Sequence, residues 1–172
     1  RIDLKTLVDA SIKLDAAAAD AKVWGDLAFT KILQPVIDGV EMKQPPAVQL
    51  AAGASKNVPI LIGSNDEEFR LYLVPGGAID RIPEPAIGGM VATLKLPADM
   101  PAVYRATRPN ATPGEVFSAI SSDYVFRNAA QAQAQAHAKA GGVPTYAYQF
   151  AWRSPQFGGR LGAAHVLDVP FV

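Results

Sequence analysis

The stretch Val58-Pro-Ile-Leu-Ile-Gly-Ser-Asn-Asp-Glu-Glu-Phe69 runs from a continuous apolar segment, through a glycine, into three consecutive acids. Branched apolar side chains without polar alternation are what a strand covered on both faces requires, so Val58–Gly63 reads as a buried parallel strand with a proline near its first position. A parallel strand belongs to an α/β sheet, and in such sheets functional groups gather beyond the carboxyl ends of the strands. Asp66, Glu67 and Glu68 stand at that place. On spacing alone, three consecutive acids after a strand are more often charges decorating a helix N-terminus than a catalytic site.

Working outward, Thr145-Tyr-Ala-Tyr-Gln-Phe-Ala-Trp152 alternates aromatic with small or polar side chains. This puts Tyr146, Tyr148, Phe150 and Trp152 on one face of a second strand. An Ala/Gln-rich helix from Asn128 to Ala140 precedes it and stops at Gly141-Gly142, which makes an αβ unit. His137 falls on the solvated face of that helix in this reading. Before it, Thr112 fits an N-cap, Pro113 the first helical position and Glu115 a first-turn charge, while Asp123 is placed to cap the next helix. Nearer the start, helical spacing of apolar residues covers Leu4 to Leu27, with a break near Gly25. Phe29 to Ile37 reads as a short extended segment closed by Asp38-Gly39, Pro45-Pro46 as a breaker, and Val48–Ala52 as a short helix. If the two strands are parallel, the acidic loop and the loop after Trp152 share one edge of the sheet.

Composition narrows the function classes. Sixteen basic and sixteen acidic residues cancel, so no broad field draws nucleic acid or an anionic membrane surface. With no cysteine and only two histidines, thiolate metal sites are excluded and imidazole sites have few ligands. No cofactor motif is present, and no apolar run has the length of a membrane span. The chain opens at Arg1-Ile-Asp-Leu without a signal pattern, and Val169-Pro-Phe-Val172 reads as a segment entering further structure. The expectation is a piece of a longer chain.

The second histidine, His165, lies in Gly158-Gly-Arg-Leu-Gly-Ala-Ala-His-Val-Leu-Asp168, where small neighbours leave room for an imidazole. A catalytic histidine needs a carboxylate on one ring nitrogen and a nucleophile on the other. From local context alone, a histidine in a glycine-rich loop is more often a surface or hydrogen-bonded structural residue. Three blocks bear on the choice: Gln34-Pro-Val-Ile-Asp-Gly39, the strand and acidic loop Val58–Glu68, and Tyr146–Ser154 followed by Gly162-Ala-Ala-His165-Val-Leu-Asp168. In that order they resemble type-B carboxylesterases, the family of bacterial para-nitrobenzyl esterases and cholinesterases. The resemblance implies a partial α/β-hydrolase fold, contributing carboxyl-side strands and helices of a mostly parallel sheet. It also implies a Ser-Glu-His triad in which Glu68 is the acid and His165 the base, with Asp168 supporting the loop. Family members show Asp-Glu-Gly where this chain has Glu67-Glu68-Phe69, and a slip of one residue would make Glu67 the acid instead.

No Gly-x-Ser-x-Gly elbow and no glycine-rich oxyanion loop occurs in the 172 residues. The reading that follows is a single α/β-hydrolase domain of which residues 1–172 are the carboxyl-side portion, the serine lying upstream. The implied partners are a small-molecule ester and the remainder of the same polypeptide, with no nucleic acid, membrane, metal or cofactor. The alternative is a non-catalytic relative of the same fold, kept for binding or adhesion.

Overall fold

A computed structural model describes residues 2–18, 20–24 and 35–171, and the chain divides into two units, Arg1–Pro45 and Pro46–Val172. In the first unit, Asp3 caps helix α1 (Leu4–Ala17) by accepting the Thr6 N–H, and Asp20 accepts the Lys22 N–H at the start of α2 (Ala21–Trp24). The helical run is therefore already interrupted before Asp20, and the expected break near Gly25 falls outside the described residues. Asp is a strong helix initiator because its carboxylate satisfies an orphan amide. Residues 25–27 of the expected helix and residues 29–34 of the expected extended segment lie outside the described residues. Residues 35–37 form no strand, but Asp38-Gly39 does turn the chain, with Asp38 Oδ1 accepting amides from Val40, Glu41 and Met42.

The second unit begins with α3 (Pro46–Ala51), whose first residue is the second of the two expected breaker prolines. Proline fits a helix start because that amide has no intrahelical acceptor. The strand that follows, β1 (Ile60–Asn65), starts two residues later than the apolar run suggests and extends past the glycine. Val58 is 58% exposed and Leu61 is also exposed, so the expectation of a strand buried on both faces is corrected. Among the described residues the sheet has two strands, which leaves part of β1 uncovered. Its partner is β2 (Thr145–Phe150), parallel and in register from Ile60 opposite Thr145 to Asn65 opposite Phe150. A parallel pair needs a long crossover, and the intervening chain supplies it. The crossover contains α4 (Arg70–Leu73), α5 (Glu84–Thr93), α6 (Met100–Thr107), α7 (Pro113–Ser122) and α8 (Asn128–Ala140).

Local chemistry explains these elements. Thr112 and Glu115 form a full capping box at the start of α7: the Thr112 hydroxyl accepts the Glu115 N–H, and the Glu115 carboxylate accepts the Thr112 N–H. Ile87 on α5 packs with Val116 and Ile120 on α7, and Met90, Met100, Tyr104 and Phe117 close around them. Asp123 does not start a new helix. A π-helical turn, Asp123–Arg127, carries α7 into α8, and the Asp123 carboxylate accepts the Tyr104 hydroxyl at 2.6 Å and pairs with Arg127. Burial, and then this carboxylate, push the Tyr104 phenol well above its ordinary range.

α8 packs against α3 and both strands, and here another expectation is corrected. His137 is fully buried, not solvated. Its Nδ1 lies 2.7 Å from Thr145 Oγ1 and its Nε2 lies 3.1 Å from the Ser55 carbonyl. A carbonyl only accepts, so Nε2 carries the proton and Nδ1 accepts from the threonine hydroxyl. The ring joins the helix to the start of β2 and to the chain leading into β1.

Gly63 lies opposite Tyr148 with no room for a side chain: a Cβ there would fall 2.3 Å from the Tyr148 carbonyl oxygen and 2.6 Å from its ring. Gly63→Ala must push β1 off β2 and is expected to cost more than the roughly 1 kcal/mol of an average point mutation. Thr112→Ala, which removes only the cap, is expected to cost about 1 kcal/mol. Urea denaturation of both variants checks the order; a Gly63→Ala variant as stable as the parent contradicts the register.

Candidate functional site

Because β1 and β2 are parallel, the residues following them emerge together. The acidic loop leaves β1 at Asn65, and the loop bearing His165 returns to it after β2. Backbone bonds join the two loops: Glu67 N–H donates to the Ala163 carbonyl at 2.9 Å, and His165 N–H donates to the Glu68 carbonyl at 3.2 Å. Ala163 and Ala164 are fully buried, so water does not compete for these groups.

Within this frame Glu68 Oε2 lies 2.7 Å from His165 Nδ1, across 97 residues of sequence. The Glu68 side chain is 6% exposed and that of His165 is 32% exposed. The other glutamate oxygen, Oε1, accepts the Asn65 N–H at 2.7 Å. One oxygen is thus committed to the backbone, and the second faces the ring. A carboxylate beside Nδ1 selects the tautomer with the proton on Nδ1 and leaves Nε2 as the basic nitrogen. Aromatic rings enclose the imidazole: Phe126, presented by the π-helical turn, at 4.8 Å between centroids, and Tyr72 at 5.8 Å. Phe69 stands next to Tyr72 at 5.2 Å. Phe69 N–H donates to Ser122 Oγ, whose own hydroxyl donates to the Ser118 carbonyl, so this serine serves the acidic loop.

Glu67 does something different. Its Oε2 accepts the Ala163 N–H at 3.0 Å and pairs with Arg153 at 2.7 Å, while Oε1 pairs with Arg70 at 3.0 Å. A cleft of about 580 Å³ opens beside it, with Asp66, Arg70, Arg127 and Arg153 in its walls, but neither Glu68 nor His165 lines that cleft. Asp66 faces Arg127 and Gln149.

Asp168 accepts the Tyr148 hydroxyl at 2.7 Å and the Asn65 side-chain amide at 3.1 Å. The same amide donates to the Ala164 carbonyl at 2.7 Å. Burial raises the Asp168 pKa, yet the two donors outweigh it and hold the carboxyl below its ordinary value. The Asp168 bond in turn pushes the Tyr148 phenol up, with burial adding to it. Sequence reasoning misses Asn65 and Phe126. A polar residue closing an apolar strand is the only trace of Asn65, and a π-helical turn has no sequence signature that would mark Phe126. Among the described residues, no group of three or more His, Asp or Glu is placed to hold a metal ion, and no helix is long and apolar enough to cross a membrane.

No protein-family model matches the chain. A curated relative, the "Crystal protein" of Dictyostelium discoideum, is 28% identical over 132 residues, covering 72% of this chain and 22% of that protein. Among solved structures, the carboxylesterase EST55 of Geobacillus stearothermophilus superposes with a TM-score of 0.66 and 24% sequence identity, covering 93% of this chain and 34% of that one. The likeness is one of fold: the helices and the small parallel sheet correspond to part of an α/β-hydrolase-type esterase. The chain spans about a third of the solved relative's length and less of the curated one's.

The Asp168 carboxyl has a sign that can be measured. Its folded-state pKa lies below the ordinary 3.8, so its contribution to stability is complete above that value and is lost as pH falls through the lower folded value. Asp168→Asn is therefore expected to be less stable than the parent at neutral pH, with the gap closing below about pH 4. Thermal midpoints of the two proteins from pH 7 to pH 3 test this; a gap that stays constant across the range rejects it.

Proposed function

We propose that this chain supplies the acid and the base of a serine carboxylesterase, with Glu68 as acid and His165 as base, and that the nucleophilic serine lies elsewhere in the same polypeptide. The observation that carries the reading is the 2.7 Å contact between a buried, backbone-anchored carboxylate and Nδ1 of a part-exposed histidine. It is made at the carboxyl ends of parallel strands in a fold shared with an esterase. The substrate class is a carboxylic ester.

The chemistry assigns a role to each atom. His165 Nε2 takes the proton of the serine hydroxyl as the oxygen attacks the ester carbonyl, then returns it to the leaving alcohol. A water repeats the cycle on the acyl group. Through both halves Glu68 holds Nδ1–H in place and stabilises the transient imidazolium. Phe126 and Tyr72 pack beside the ring and cover part of it, which strengthens that electrostatic support.

In the full-length protein, His165→Ala is expected to abolish ester turnover, and Glu68→Gln to lower kcat on the order of 10³- to 10⁴-fold with folding intact. A serine-directed fluorophosphonate should add one label, as read by intact mass. Near-parent turnover in either variant removes that residue from the mechanism. Absence of both label and turnover favours the non-catalytic binding or adhesion module.

A further inference from the structure

The two glutamates that follow β1 contact different parts of the histidine loop. Glu68 touches the imidazole; Glu67 touches the backbone that carries it. Three kinds of observation converge on Glu67. Its carboxylate is saturated, with one oxygen on Arg70 and the other shared between Arg153 and the Ala163 N–H. It is mostly buried, at 19% exposure, as is Arg70 at 15%. Arg70 also donates to the Arg160 carbonyl at 2.7 Å, so the cluster grips the histidine loop at two places, residues 160 and 163.

The loop is shaped around this carboxylate. Gly162 has φ +62°, and a Cβ there would lie 1.9 Å from Glu67 Oε2. Only glycine lets the chain pass so close while presenting the Ala163 N–H to the acid. Backbone bonds from Glu67 N–H to Ala163 O and from His165 N–H to Glu68 O flank that contact. The Glu67 side chain adds a charge-assisted bond beside these two, of the kind roughly twice as strong as a neutral one.

We propose that Glu67 is a positioning residue: its carboxylate, clamped by Arg70 and Arg153, holds the Ala163–His165 backbone so that Nδ1 of His165 meets Glu68. This deepens the esterase reading and rests on it for its kinetic consequence. Its structural content, the Glu68–His165 contact, is readable without turnover.

The test uses the full-length protein and its Glu67→Ala, Glu67→Gln and Glu67→Asp variants. One readout is the strongly deshielded proton of Nδ1–H in the one-dimensional proton spectrum, assigned by its absence in His165→Ala. The other is the split between kcat and KM for a simple ester. Glu67→Ala is expected to lose or shift the deshielded proton and to lower kcat by about 10²-fold with KM within about twofold, as displacements near 1 Å do. A salt bridge that merely stabilised the fold would lower the amount of active protein and leave the proton of the folded fraction where it was. If Glu67→Ala does not fold, the isosteric Glu67→Gln decides. Its carbonyl can take the place of Oε2 and accept from Ala163 and Arg153, but its NH2 then faces the Arg70 guanidinium and that side of the clamp is lost, so the same proton should shift and kcat should fall about tenfold, to a smaller degree than for alanine. Glu67→Asp restores the charge one methylene short of the Ala163 N–H. Under positioning it fails to restore the proton, whereas full restoration would mean that charge alone acts and would overturn the proposal. An unchanged proton and unchanged kcat in a folded Glu67→Gln also overturn it. A parent protein that shows the deshielded proton, loses it in Glu67→Ala and turns over no ester keeps the positioning role and discards the esterase reading.

Discussion

The parallel pairing of β1 with β2 is the constraint on which the rest depends. The register, from Ile60 opposite Thr145 to Asn65 opposite Phe150, fixes where both chains leave the sheet, and they leave side by side. A one-residue slip would turn every side chain of a strand to the other face. Here the slip is barred by a contact as well as by pattern: Gly63 lies against the Tyr148 backbone and ring, where no side chain fits. Everything at the site inherits its coordinates from that pair. Asn65, the last residue of β1, supplies the N–H that anchors Glu68 and the amide that holds Ala164 and Asp168. Tyr148, in the middle of β2, reaches the same Asp168.

The arrangement separates the groups that hold the loops from the one that meets the imidazole. Glu67, Asn65, Asp168 and Tyr148 hold backbone groups or other side chains of the two loops, and none of them touches the imidazole in a polar contact. Glu68 does, and it keeps one oxygen for the backbone so that the other has a single orientation. A carboxylate free to rotate would point away from the ring part of the time; one fixed by the Asn65 N–H does not. The same logic explains the aromatic neighbours. Phe126 and Tyr72 meet the imidazole through their rings, so they do not compete with Glu68, and they cover part of it while leaving the rest open to solvent.

How much of this is legible in the sequence depends on the range of the physics involved. The capping box at Thr112 and Glu115 is legible because cap and amide are three residues apart, and β2 because alternation along Thr145–Trp152 is a local pattern. Asp123 misleads for the same reason: an acid before a helix fits a cap locally, but Tyr104 and Arg127 claim it in space. His137 is misplaced by its sequence because its partners, the Ser55 carbonyl and Thr145 hydroxyl, come from other elements, and an Ala/Gln helix has too weak a polar face to say which side is buried. Val58 belongs to an apolar run that suggests burial, but the first two residues of that run precede the strand. For Glu68 and His165 no local pattern names the other, and in the sequence only resemblance to a family joins them. Glu67 enters that resemblance as a rival for the acid's place, and its bond to Ala163 is a tertiary fact that no spacing encodes.

One strained residue adjoins the imidazole. Val166, directly after His165, has φ +64°, a conformation that β-branched residues avoid at a cost of about 1–3 kcal/mol. The chain has a reason to accept it. His165 must face Glu68 on one side of the loop, while Asp168, three residues on, must turn back to meet Asn65 and Tyr148. A left-handed residue between them reverses the chain within that span, and the Leu167 N–H to Ala164 carbonyl and Val169 N–H to Val166 carbonyl bonds close the turn. Leu167 then packs on the cluster of Val74, Ile79, Leu161 and Ala164, which offsets the strain of the turn with apolar burial. The unfavourable dihedral is therefore sustained by a core cluster against the loop and by two polar ties beside it. It keeps the imidazole on the end of a loop with few ways to move.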